Sequence, residues 1–341
     1  MSKSKLTIWF IILSVLLIIL GVYDLLSGSI QVSMSDIFEF IFSKNPKNSQ
    51  YYLLLKEFRF PRMSMAILAG AGLSISGLIM QTLFRNPLAG PDILGISSGA
   101  SLGVAIVVLG GNYIFGNSFI YASNYLTLIA AAIGAATILA LILTISFKLR
   151  DILSILIIGI LLAGIISAIV SILQYFATNI NVKSFVVWTM GSLTASSSKD
   201  LTLAIPIILS FILLAFLLSK SLNLMLPGES FAKTMGVNIK LLRILSFSAV
   251  SILTGVITVY CGPIGFVGIA VPHISRWIFN TSNHFVLIPA TALLGGIFML
   301  CGDILSNLFT TNGNLPINAV TAILASPFII WVVFKNKRTF V

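Results

Sequence analysis

Ten times between residues 6 and 334 the sequence returns to a long apolar run, and this recurrence limits the possible folds more than any other feature. The runs are 6–26, 63–84, 93–110, 125–147, 152–176, 201–218, 243–261, 264–279, 285–306 and 317–334. A helix needs about 20 mostly apolar residues to cross a hydrocarbon core of roughly 30 Å. Backbone in lipid must also satisfy its own hydrogen bonds, which favours helices over any open sheet. Charged residues make up 9% of the chain, against about a quarter in soluble domains. The expectation is an all-α, polytopic protein of about ten transmembrane helices, a single domain over 1–341 in the lipid bilayer.

The first run follows Lys3 and Lys5, as the apolar part of a signal peptide would. Leu6 to Leu26 is long enough to span and shows no A-x-A cleavage pattern, so it is expected to be a retained helix. Cys261 and Cys301 lie in or beside apolar runs, where cysteine behaves as a small buried hydrophobe. The net charge of +11 does not imply nucleic acid as a partner, because lysine and arginine in membrane proteins gather in cytoplasmic loops. An even number of spans puts both termini on one side, and the basic ends (Lys3, Lys5; Lys335, Lys337, Arg338) mark it as cytoplasmic. Segments 85–92, 148–151, 219–242 and 280–284 share that side. Against the bias, Lys44, Lys47, Lys56, Arg59 and Arg62 fall in one external segment, 27–62.

A weak internal echo suggests how the helices are organised. A basic residue, an apolar helix, a glycine and then "NPLAGPDILGISSG" fill 62–99, while 243–276 repeat the order with "GPIGFVGIAVPHISR". The copies would run in opposite directions, giving an inverted repeat of helices 2–5 and 7–10 of the kind that frames transport pathways.

Three stretches stand out within this frame. In "GISSGASLG", Gly95, Gly99 and Gly103 recur every fourth residue with Ser98 between, a strip suited to close helix packing or to lining a pathway. In "GPIGFVG", Gly262, Pro263 and Gly265 break a helix at membrane depth, where irregular backbone must be buried in protein or line a cavity. In the cytoplasmic region 226–243, Pro227-Gly228 and Gly236 bracket a short helix. Glu229 and Lys233 share one of its faces and Phe231 and Met235 form an apolar ridge, fit to lie on the membrane or dock in a partner's groove.

No acidic residue falls mid-span, which disfavours an ion-coupled secondary transporter. There is no G-x-x-x-x-G-K phosphate loop, no clustered metal-ligand set and no nucleophile with a matching base. The chain is expected to be no enzyme, with no catalytic residue, metal or cofactor of its own. A bare structural scaffold would leave the short cytoplasmic helix without a purpose.

"RFPRMSMAILAGAGLSISGLIMQTLFRNPLAGPDILGISSGASLG", "WTMGSL", "GESFAKTMGVNIKLLR", "GPIGFVGIAVPHISR" and "LPINAVTAILASPFIIWVVFK" resemble, in order, the permeases of iron-siderophore, heme and vitamin B12 ABC importers of the bacterial cell membrane. The resemblance covers nearly the whole chain. It implies an importer in which two permease copies, or a permease and a paralogue, form the pathway. Two cytoplasmic ATPases would hold ATP and Mg, and an external substrate-binding protein would deliver the cargo, with a ferric siderophore favoured over vitamin B12 or heme. It further implies that Gly228, Glu229, Ala232 and Gly236 couple to the ATPase, and that Arg59 and Arg62 meet acidic side chains of the binding protein. The chain departs from the family pattern at "GDILSN", where Asn307 stands in place of a frequent arginine.

Overall fold

The structure, a computed structural model, describes residues 3–28, 30–42, 49–111, 124–149, 152–194, 197–308 and 315–335. Lys44, Lys47, Arg150, Lys337 and Arg338 lie outside them. Every regular element among the described residues is helical. In chain order these are α1 (Lys3–Leu26), α2 (Met34–Phe42), α3 (Ser49–Leu54), a π-helical turn (Leu55–Arg59), α4 (Phe60–Leu83), a 3-10 turn (Pro91–Leu94) and α5 (Ile96–Val108). There follow α6 (Asn124–Lys148), α7 (Ile152–Phe176), α8 (Asn179–Thr189), α9 (Ser198–Leu217), α10 (Ser219–Met225) and α11 (Glu229–Thr234). The chain closes with α12 (Ile239–Cys261), α13 (Val267–Phe279), α14 (His284–Leu308) and α15 (Ile317–Lys335).

A helix coincides with each of the ten apolar runs, but among the described residues seven are long and apolar enough to cross a membrane by themselves. Helices α5 and α13 have 13 residues each, about 20 Å at 1.5 Å per residue. Both begin inside the protein after backbone that is not α-helical, 84–95 (which includes the 3-10 turn) before α5 and 262–266 before α13, so the runs 93–110 and 264–279 are a connecting segment plus a half-helix. Glycine and proline at the entries explain the shortening: Gly95 holds φ at +73°, and the chain enters α13 through Phe266 at +69°. A side chain at positive φ costs roughly 1–3 kcal/mol and persists only where its surroundings impose it.

Helix α4 is the centre. In its apolar stretch 78% of residues are buried, against 17% and 22% in α7 and α6. It runs antiparallel to α14 along its length: Arg62 meets Asp303, the backbones of Gly70 and Gly295 touch, and Thr82 reaches His284. It also runs antiparallel to α12, from Gly72 against Ile257 to Phe84 against Phe247, and parallel to α13, from Gly77 against Gly268 to Gln81 against Arg276. Because α4 and α12 oppose one another, the segments that follow them also run in opposite senses, as an inverted repeat requires.

These directions sort the loops to two ends. One, the arginine end, gathers Arg59, Arg62, Asp303, the 262–266 loop and the starts of α9 and α15. The other, the coupling end, gathers residues 84–90, the close of α6, α10 and α11, and the start of α14.

The α4–α14 crossing yields a paired test. A methyl group on Gly70 would overlap the Gly295 carbonyl, whereas one on Gly164 in α7 meets nothing within 4 Å. Gly70→Ala should lower stability by about 1–3 kcal/mol or more through overpacking. Gly164→Ala should be neutral or stabilise by up to about 1 kcal/mol through helix propensity. Melting of the two variants in the same detergent checks both.

Candidate functional site

At the coupling end the chain makes a sharp excursion between α9 and α12. Helix α10 is anchored by Leu222 and Met225, both fully buried, and Gly228 N–H closes the turn onto Met225 O at 3.0 Å. Helix α11 then runs for six residues. It stops where Gly236 adopts φ +83°, with Val237 N–H donating to Ala232 O at 3.0 Å and Gly236 N–H to Lys233 O at 3.1 Å. That pair of bonds is the left-handed glycine closure of a helix C-terminus. Ala232 is the only fully buried residue of α11, while Phe231 and Met235 are 45% and 57% exposed. The apolar ridge read from the sequence therefore stands outward.

The expected Glu229–Lys233 pairing is replaced by a stronger one. Glu229 Oε2 accepts from Arg243 Nη2 at 2.7 Å, and the arginine side chain is 6% exposed. A buried guanidinium demands a carboxylate, and α12 brings Arg243 beneath the first turn of α11, whereas Lys233 remains in solvent. Gly228, Glu229, Ala232 and Gly236 thus form one rigid excursion: turn, tether, contact and stop.

At the arginine end, both arginines are engaged inside the chain. Arg59 donates from Nη1 to Leu25 O at 2.6 Å and Leu26 O at 3.1 Å, and from Nη2 to Ile30 O, capping the carbonyl end of α1. Arg62 forks onto Asp303, with Nε to Oδ2 at 2.8 Å and Nη2 to Oδ1 at 2.6 Å, the aspartate being 1% exposed. Asp24, 5% exposed, belongs to the same buried group. Asp24 and Asp303, which the sequence groups with span-end acids, sit inside α1 and α14 within about a turn and a half of their C-terminal ends. Asn307 lies half-buried one turn beyond Asp303. Pairing across 241 residues has no local sequence signal; an aspartate within an apolar run was the only hint.

The glycine strip divides. Gly99 and Gly103 press against Gly134, Ile138 and Ala130 of α6, which is helix packing, while Gly95 turns the chain into α5 beside Gly159. Ser98 is half-buried. The 262–266 loop is stapled by two segments far away in sequence. Ser192 N–H donates to Cys261 O at 2.8 Å, Gly265 N–H to Asn318 Oδ1 at 3.0 Å, and Asn318 N–H to Met190 O at 3.2 Å. A methyl on buried Gly262 would run into the Trp188 carbonyl; Pro263 and Gly265 are half-buried. "WTMGSL", "GPIGF" and "LPINAV" thus meet at one point of the arginine end.

Residues 16–335 match the family model described as the FecCD transport family. The chain belongs to the FecCD transport family. It is 33% identical to a Helicobacter pylori permease protein named for iron chelatin transport, over 94% of this chain and 96% of that one. It is 35% identical to the molybdate import permease MolB of Haemophilus influenzae (96% and 95% covered), and 32% to the hemin transport permease HmuU of Yersinia pestis (96% and 95%). A solved structure titled as an inward-facing conformation of a metal-chelate type ABC transporter superimposes with a TM-score of 0.81 at 31% identity, covering 95% of this chain and 97% of that one. The FecCD chain is therefore a multi-pass membrane permease subunit of an ABC importer, a transport component rather than a catalyst. Membership implies an ATPase and a substrate-binding protein as partners.

The arginine end supplies a stability prediction. Arg62→Ala leaves Asp303 buried without its counter-ion and should cost about 3–5 kcal/mol. The exchange Arg62→Asp with Asp303→Arg should recover part of that loss. Thermal denaturation of the purified permease, with both single changes and the exchange, measures it.

Proposed function

We propose that this permease subunit carries an iron chelate, most favourably a ferric siderophore, inward across the bacterial cell membrane, driven by ATP hydrolysed on a separate cytoplasmic subunit. The observation that carries the reading is the coupling-end excursion. A six-residue helix held by the Glu229–Arg243 bridge and a glycine stop presents Phe231 and Met235 outward, the form of an apolar ridge that docks in a groove. With the basic coupling end in the cytoplasm, both termini lie there, and α11 faces the ATPases. Two permease copies, or one with a paralogue, enclose the pathway. The arginine end then faces the external binding protein.

Arg59 and Arg62 enter this reading in a changed form. Arg59, capping α1, and Arg62, held on Asp303 through Nε and Nη2, are fixed in place by the chain itself, and from there they meet acidic side chains of the binding protein, with exposed Lys56 beside them adding positive charge that speeds encounter. Iron chelate is favoured by the name of the Helicobacter pylori relative. Hemin, vitamin B12 and molybdate, the cargoes in other relatives' names, are the readings it must outcompete.

Uptake of radiolabelled ferric siderophore, hemin, cobalamin and molybdate by a deletion strain and its complemented counterpart separates these cargoes, and uptake of the last three alone would overturn the iron reading. In the assembled complex Glu229→Ala and Gly236→Val should both lower uptake at least about tenfold while the permease still inserts. A Cβ at this position meets no neighbour within 4 Å, so the effect is expected from the left-handed backbone that valine cannot easily hold. Wild-type uptake and ATPase stimulation in both would remove α11 from the mechanism.

A further inference from the structure

The mechanism above leaves one buried histidine without a task. His284, the first residue of α14, is 1% exposed, and both ring nitrogens are engaged. Nδ1 lies 2.8 Å from Asn223 Oδ1 on α10, and Nε2 lies 2.8 Å from Thr82 Oγ1 near the end of α4. The surroundings assign the proton. Asn223 Oδ1 also accepts from the His284 backbone N–H at 2.8 Å, and Asn223 Nδ2 donates to Asn283 Oδ1 at 2.8 Å. The asparagine therefore presents its oxygen to the ring and Nδ1–H donates to it, which leaves Nε2 as the acceptor for the Thr82 hydroxyl, whose one proton is shared with the Leu78 carbonyl 3.0 Å away on the same helix. An imidazole carries its nitrogens on opposite edges, so one side chain spans two elements that do not otherwise share a polar contact at this point.

The location gives the bridge its meaning. Asn223 is one helix away from α11: Leu226 N–H and Gly228 N–H bond back to Asn223 O and Met225 O, so α10 and the turn into α11 move as one body. Thr82 is in the last turn of α4, the most buried helix, where Gln81 Oε1 accepts from Arg276 Nη1 of α13 at 2.6 Å and Gln81 Nε2 donates to Ile269 O at 3.3 Å. A load on α11 reaches α10, passes through Asn223 and His284 to the start of α14, and through Thr82 to α4, which touches α14 backbone to backbone at Gly70 and Gly295.

We propose that His284 is a positioning residue that links the ATPase-docking excursion to the central helices, transmitting between the coupling end and the arginine end through Asn223 and Thr82 in series. This rests on the permease reading given under Proposed function. The links are individually weak, about 1 kcal/mol each as neutral hydrogen bonds, so losing one leaves a folded protein. In series, however, losing either link interrupts the same path.

The test uses the full complex of permease, ATPase and binding protein in lipid vesicles, reading ATP hydrolysis with and without added binding protein. Thr82→Val, which keeps the shape and removes the hydroxyl, and Asn223→Ala should each keep basal hydrolysis within about twofold of wild type while stimulation by the binding protein falls at least about fivefold. The double variant should be no worse than either single change, since a broken series link cannot be broken twice. Asn223→Asp, which retains the acceptor for Nδ1–H, should restore most of the stimulation, although it removes the bond to Asn283. Unchanged stimulation in both single variants overturns the proposal, as does a loss that tracks the melting temperature or adds up in the double variant. A wild-type complex that hydrolyses ATP but shows no response to its binding protein overturns it as well, since there is then no signal to carry. A wild-type permease that assembles with no ATPase instead sinks the permease reading itself.

Discussion

The structure depends on how closely other helices approach α4. Inside a bilayer, association gains nothing from excluding water, since lipid tails are as apolar as leucine, and the remaining attraction is close packing and internal polar contact. Gly70 and Gly77 bring α4 into backbone contact with α14 and α13, at Gly295 and Gly268, and the same device joins α5 to α6 at Gly99 and Gly134. Because these contacts are backbone to backbone, each fixes how closely two helices approach at that point, and the helix ends need other means of attachment.

Both ends are accordingly held by charge and hydrogen bonds rather than by apolar packing alone. At one, Arg62 is clamped on Asp303 and Arg59 caps the carbonyls that α1 leaves unsatisfied. At the other, Glu229 holds Arg243 and His284 joins Asn223 to Thr82. A buried ion pair is weak evidence for net stability, because desolvation offsets much of the attraction. Its value is geometric: a bidentate fork fixes the angle between two helices in a way that leucines do not. Arg62, read in the sequence as waiting for an outside partner, is in the structure part of the protein's own frame.

What was legible in the sequence followed periodicity and glycine, and what was hidden followed pairing. The ten apolar runs, the α11 excursion with its stop at Gly236, and the opposed directions of the two echoing segments could all be read because each is set within a few dozen residues. The half-helices α5 and α13 were read as full spans; the break at "GPIGF" was legible from its glycines and proline, but hydropathy does not register that "NPLAGPDILG" is likewise no part of an α-helix, so the run 93–110 reads as one whole. The packing role of Gly99 was one of two open readings, decided by Ile138 and Gly134 across the contact. Asp303 for Arg62, Arg243 for Glu229 and Asn223 for His284 were invisible for one reason. Their separations of 241, 14 and 61 residues are bridged only once the helices have packed.

The half-helices carry the argument furthest toward transport. The segment that leads into α5 meets the first turn of α13, with Pro91 packed against Gly268 and Gly90 against Ile269. Irregular backbone at such depth is tolerated only when protein or a hydrated cavity satisfies it. Here Pro87 O accepts from His273 Nε2 at 2.7 Å, and Gly265 N–H finds Asn318. Each loop is therefore held by a different part of the chain: the one before α5 by α13, the one before α13 by the start of α15. The two loops lie toward opposite ends, and a shift of α13 relative to α4 would disturb both of them together. A fold in which two short helices are each propped by a distant segment ties the loops at both ends to the packing of α13 on α4.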